Sequence, residues 1–166
     1  MASGAIDAGS IPVGDGCKFD KEKMIIGIIG GNKCGKQIEK IAEEIGSEIA
    51  KRKHIIICGG MSGVMECACR GAKKSGGLTV GILPGKTKTE ANKYIDIPII
   101  TAMSHARNAI IVRTADVIIA IDGKYGTLSE IGLAKAIDKT VIGIKTWDIP
   151  GIIKVNSVKE IFEIIK

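Results

Sequence analysis

Three glycine-rich turns hold the residues most able to do chemistry: Gly30-Gly31-Asn32, Gly59-Gly60-Met61-Ser62-Gly63 and Asp122-Gly123-Lys124-Tyr125-Gly126-Thr127. Each follows an apolar, β-branched run and leads into a helical stretch. Glycine lets such a turn take positive φ and approach a ligand closely. The helix that follows directs unpaired N–H groups and the positive end of its dipole at an anion. The pattern points to phosphate binding by Gly30, Gly31, Asn32, Gly59, Gly60, Met61, Ser62, Gly123, Lys124, Tyr125, Gly126 and Thr127, with Arg107 and Asn108 beside them. Arg107 falls in the first turn of a helix predicted from Ser104, where a cation opposes the helix dipole at a cost of ~0.3–1 kcal/mol. Lys124 is set the same way before the next helix. An anionic ligand that neutralises them explains both placements; a carboxylate partner for Arg107 is the alternative. Glu130 also has two readings. Thr127-x-x-Glu130 has capping-box spacing, in which Glu130 would only satisfy a backbone N–H; otherwise it is a carboxyl of the site.

The first turn continues as Gly30-x4-Gly35-Lys36 and matches a P-loop until Gln37. The hydroxyl that should hold magnesium at that position is missing, which argues against a nucleoside triphosphatase. No metal site is expected either. Cys17, Cys34, Cys58, Cys67 and Cys69 are odd in number and lack paired zinc spacing, and His54 and His105 stand far apart. The cysteines read as reduced thiols of an intracellular core.

The elements that must position these turns are legible as short apolar runs at Met24–Ile29, His54–Cys58, Leu78–Leu83, Ile97–Thr101, Val117–Ile121 and Thr140–Ile144. Each is nearly continuous rather than alternating, as parallel strands buried on both faces require. Ile38, Ile41, Ile45 and Ile49 mark one face of an amphipathic helix between the first two. Further helices fit Ser62–Lys74, Ser104–Thr114 and Thr127–Ala136, and a last one starts at Ser157, where Ser157-x-x-Glu160 is a capping box. Alternating strands and helices predict an α/β fold: one three-layer, doubly wound Rossmann-like domain with a mainly parallel sheet. Ligands of such sheets bind beyond the carboxyl ends of the strands, where the three turns lie. Pro84–Pro98 is the one long connection, and long loops often carry function.

With 166 residues, 45% of them hydrophobic, the chain has the size and composition of one globular domain. Residues 1–23 lack periodicity and read as a flexible leader or expression remnant, with the domain spanning 24–166. No apolar run approaches the ~20 residues of a membrane span, and residues 1–23 do not resemble a signal peptide, so a cytoplasmic location is expected. The net charge of +6 admits anionic partners, yet 3% aromatic residues leave few stacking platforms and argue against nucleic acid.

Gly59-Gly60-Met61-Ser62-Gly63-Val64-Met65-Glu66, Ala106-Arg107-Asn108 and Tyr125-Gly126-Thr127-Leu128-Ser129-Glu130, in that order, resemble the LOG superfamily of Rossmann-like proteins, whose hallmark is PGGxGTxxE with an upstream arginine. The resemblance runs from Met24 to Trp147. Arg70-Gly71-Ala72, Gly76–Gly85 and Glu90-Ala91-Asn92 look most like a branch of small proteins related to the DNA-processing protein DprA and to molybdenum-cofactor carriers. The resemblance implies a binding protein for a phosphorylated, nucleotide-like ligand, with the molybdenum cofactor as one candidate and no required cofactor of its own. It also implies an alternative, the phosphoribohydrolase activity that releases a free base and ribose 5-phosphate from nucleoside 5′-monophosphates. Arg107 and Glu130 would then be the catalytic pair, Glu130 stabilising positive charge on the ribose and orienting water. A homodimer or homotetramer is implied as well, with Ile110–Val112 and Ile131–Ile137 as contributors. Asp122 and Lys124 depart from the hallmark proline and second glycine. They put an acid beside the phosphate and restrict the turn, which weighs more against hydrolysis than against binding. No residue supports the lysine-decarboxylase label once given to the superfamily.

Overall fold

The computed structural model describes residues 23–165; the leader reading, and Cys17 with it, lies outside the described residues but for Lys23. The strands are β1 Ile25–Gly30, β2 Ile55–Cys58, β3 Leu78–Leu83, β4 Ile97–Ile100, β5 Val117–Ile121, β6 Val141–Ile144 and β7 Ile153–Val155. The helices are α1 Lys36–Lys51, α2 Val64–Lys74, α3 Asn108–Thr114, α4 Tyr125–Lys135 and α5 Val158–Ile164. All strand pairs are parallel, in the order β4-β3-β2-β1-β5-β6-β7.

The continuous isoleucine runs serve a sheet covered on both faces. Ile26, Ile28, Ile56, Ile119 and Ile121 pack with α1, α2 and α5, whereas Ile29, Ile57, Ile118 and Ala120 pack with α3 and α4. Within the helix predicted from Ile38 to Ile49, Ile45 and Ile49 are fully buried, and Ile38 and Ile41 lie against the same core. Each fully buried isoleucine contributes about 1.5–3 kcal/mol relative to exposure. Two isoleucine-rich layers therefore replace the aromatic residues the composition lacks.

Several elements differ from the sequence reading. β7 was not expected, because a three-residue edge strand offers too little pattern to read. Ser104–Arg107 is a 3-10 turn that leads into α3 rather than the first turn of an α-helix. The second turn extends to Gly63, so α2 starts at Val64 and not at Ser62. α4 begins at Tyr125, two residues early, which places Thr127 inside the helix. That shift removes the capping-box reading of Glu130: the α4 N-cap is Lys124, without a side-chain cap bond among the described residues. Ser157 does cap α5, its Oγ accepting from the Glu160 N–H at 3.3 Å. Of the residues expected to build an oligomer contact, Ile111, Val112, Ile131 and Ala134 are buried in the core, whereas Leu133 is exposed.

Candidate functional site

β1 lies between β2 and β5, so the chain leaves neighbouring strand ends in opposite directions. A crevice opens at such a switch point. Register pairs Gly30 with Ile121 and Ile28 with Cys58, which places all three glycine turns at one rim. The turns are tied together. The Val64 N–H donates to the Gly31 carbonyl at 3.0 Å, and Ser62 Oγ donates to the Asn32 carbonyl at 3.0 Å. From the long β3–β4 connection, Asn92 Nδ2 donates to the carbonyls of Gly60 and Met61 at 3.2 and 2.8 Å. Between the first and third turns and the start of α3 lies a cavity of about 630 Å³, within the ~300–1,000 Å³ usual for small-molecule sites.

Arg107 and Glu130 meet in this cavity, both more than nine-tenths buried. Arg107 Nη1 lies 3.9 Å from Glu130 Oε1, and Nη2 donates a long 3.5 Å bond to the Gly59 carbonyl. Charge-assisted hydrogen bonds close to ~2.7–2.9 Å, so this pair leaves capacity on both sides. Arg107 Nε is buried with no partner among the described residues. A buried donor left unmade costs ~1–3 kcal/mol, a cost that a bound acceptor would remove. Gly59 makes the guanidinium's position possible: a β-carbon there would fall under 3.0 Å from its atoms. Burial pushes the Glu130 carboxyl up from 4.5 to about 7, with Arg107 pulling the other way. Burial also lowers the Arg107 pKa, partly offset by Glu130. A carboxyl that titrates near neutrality can give or take a proton at working pH.

Most of the sequence-predicted residues converge. Gly30, Gly31, Asn32, Met61, Ser62, Arg107, Asn108, Gly123, Lys124, Gly126, Thr127 and Glu130 line the cavity. Gly59, Gly60 and Tyr125 are not part of its lining. Gly59 lies under the guanidinium, Gly60 against Leu83 and Gly81, and the Tyr125 ring sits 5.9 Å from that of Trp147, 79% exposed. The structure adds Ile29, Lys33, Met65, Pro84, Ser104, His105 and Asp122. His105 and Ser104 immediately precede Ala106-Arg107 and were within reach of sequence reasoning. Met65 lies in the first turn of α2, just after the second glycine turn. Lys124 has φ −120°, so it needs no glycine; the left-handed positions of this turn are Asp122 and Gly123, with φ +49° and +100°.

Fold and site together define a Rossmann-like α/β protein with a crevice of mixed polar and apolar lining at its topological switch. The chain belongs to the SLOG cluster4 family, whose profile matches residues 23–165. Its fold is shared by the molybdenum cofactor binding protein of Rippkaea orientalis, at TM-score 0.82 and 36% identity, over 87% of this chain and 96% of that one. The molybdenum cofactor carrier protein of Chlamydomonas reinhardtii is similar at TM-score 0.79 and 30% identity, over 86% and 96% of the two chains. A probable cytokinin riboside 5′-monophosphate phosphoribohydrolase of Oryza sativa is 32% identical over 108 residues. That match spans 61% of this chain but 47% of the rice protein. No helix among the described residues is long and apolar enough to cross a membrane.

Proposed function

We propose that the protein binds a phosphorylated, nucleotide-like small molecule in the switch-point crevice and carries it without altering it. The observation that carries this reading is the Nε of Arg107, which has no partner among the described residues, in a residue only 8% exposed at the rim where the glycine turns meet. The phosphate sits at the Gly123–Thr127 turn, where the first amides of α4 lack intrahelical acceptors. The planar part of the ligand packs on apolar lining residues of the cavity, among them Met61, Met65 and Pro84. The molybdenum cofactor is the leading candidate cargo, in line with the two structural relatives at 36% and 30% identity. The assembly is a homodimer or homotetramer in the cytoplasm.

A second reading is favoured by one observation, the Glu130 carboxyl displaced to about 7 beside Arg107. In a phosphoribohydrolase, the C1′–N bond breaks with its electron pair leaving on the base. Water supplies the oxygen that bonds to C1′, and its proton ends on the base. Ionised Glu130 would stabilise the positive ribose and orient that water. Incubation with a panel of nucleoside 5′-monophosphates separates the two. Free base and ribose 5-phosphate, abolished in Glu130→Gln, establish hydrolysis. Binding without turnover, weakened in Arg107→Ala, establishes the carrier. Mass spectrometry of molecules that co-purify with the native protein identifies the cargo.

A further inference from the structure

We infer that Thr146 and Trp147, in the β6–β7 connection, are positioning residues that hold the third glycine turn in its ligand-receiving form. The inference rests on reading the crevice as a phosphate site. Thr146 Oγ1 donates to the Asp122 carbonyl at 2.6 Å, and Trp147 Nε1 donates to the Lys124 carbonyl at 3.2 Å. Register makes this contact available, because Ile121 pairs with Ile144 and the two loops leave adjacent strand ends. The turn needs the help. Asp122 is a non-glycine residue in the left-handed region at φ +49°, a conformation that persists only where its surroundings over-determine it. The Asp122 N–H is fixed to the Ile144 carbonyl at 3.2 Å. Thr146 then fixes the carbonyl of the same residue.

The Lys124 carbonyl accepts both Trp147 and the first α4 bond, from the Leu128 N–H at 2.9 Å. The Asp122 and Lys124 carbonyls are therefore held from the β6–β7 side, while Gly123, Lys124, Gly126 and Thr127 line the cavity. Tyr125 completes the brace from outside, its ring tilted 37° to that of Trp147 at 5.9 Å. This accounts for a residue of the turn that does not line the cavity. Thr146 and Trp147 are themselves outside the cavity lining, so they act through the turn and are not catalytic residues.

The experiment measures binding of inorganic phosphate and of adenosine 5′-monophosphate by calorimetry to wild type, Thr146→Val, Thr146→Ser and Trp147→Phe. Trp147→Phe keeps an aromatic ring beside Tyr125 and deletes the N–H. Each lost donor is expected to weaken both probes about tenfold, and Thr146→Ser to restore wild-type binding within about twofold. Trp147 is the chain's single tryptophan, so its emission in wild type is expected to change on phosphate addition, with a blunted change in Thr146→Val. Thr146→Val and Trp147→Phe proteins that melt like wild type and bind both probes equally well overturn the inference while the site reading stands. If Thr146→Val does not fold, Trp147→Phe alone decides in the same way. Wild type that binds neither probe at millimolar concentration overturns the site reading itself, and the inference falls with it.

Discussion

Replacing Glu130 by glutamine should stabilise the ligand-free protein, and the gain should depend on pH in a defined way. Glutamine imitates the protonated carboxyl, so the variant differs from wild type chiefly by the free energy of ionising Glu130 in place. In the unfolded chain that group ionises near 4.5, and in the folded protein burial displaces it to about 7. The folded-state value is the higher one. Stability due to this group is therefore fully present below pH 4.5 and is lost as pH rises through 7, at ~1.4 kcal/mol per pH unit. The accumulated loss is about 3 kcal/mol. The group is more than nine-tenths buried, so solvent screening removes little of it. The attraction of Arg107 exists only for the ionised carboxylate and is already contained in the folded-state value of about 7, which it lowers.

The assay is urea unfolding of wild type and Glu130→Gln at matched protein concentration, at several pH values between about 4 and 8. Equal midpoints near pH 4 should separate steadily to a plateau above pH 7, with the Glu130→Gln protein more stable by about 3 kcal/mol. A difference that does not change with pH, or a variant less stable than wild type at pH 7.5, refutes the argument that burial sets this ionisation. The result matters for function because a protein that keeps a costly carboxylate in its crevice keeps it for something other than stability.

Gly59→Ala should push the guanidinium away, since the added carbon would fall under 3.0 Å from it; a destabilisation of about 1–3 kcal/mol with loss of phosphate binding by calorimetry is expected. His54 should give a pH dependence of opposite sign to Glu130. Burial lowers its pKa, and its Nδ1 accepts from the Met24 N–H at 3.2 Å, so its contribution is present above the unfolded value of about 6.5 and lost as pH falls. His54→Gln should flatten the acid limb of the unfolding midpoint, and an unchanged limb would exclude the group. Light scattering of the purified chain should return a dimer or tetramer; a mass of 17.5 kDa would overturn that expectation.

How far the sequence discloses this molecule depends on which interactions decide each part. The parallel sheet is legible because burial on two faces forces unbroken β-branched runs such as Val117–Ile121, all five of them buried. β7 is not, because three residues at an edge carry no period. The convergence of the three turns follows from topology alone: strands of one parallel sheet end at one rim wherever they sit in the chain. Arg107 is legible as a cation near a helix start, and the structure adds that it lines the cavity beside Glu130 with its Nε buried and without a partner among the described residues. Glu130 is ambiguous in sequence for a specific cause. Capping depends on whether α4 begins at Tyr125 or two residues later, and propensity does not fix that boundary. In the structure α4 begins at Tyr125, after a turn whose Asp122 and Lys124 carbonyls accept from Thr146 and Trp147, 24 and 23 residues away. The same long-range contacts explain why the Asp122 and Lys124 departures from the family pattern leave the turn intact. Lys124 adopts an ordinary negative φ, and Asp122 is pinned in its unusual one by neighbours that no local window of sequence contains.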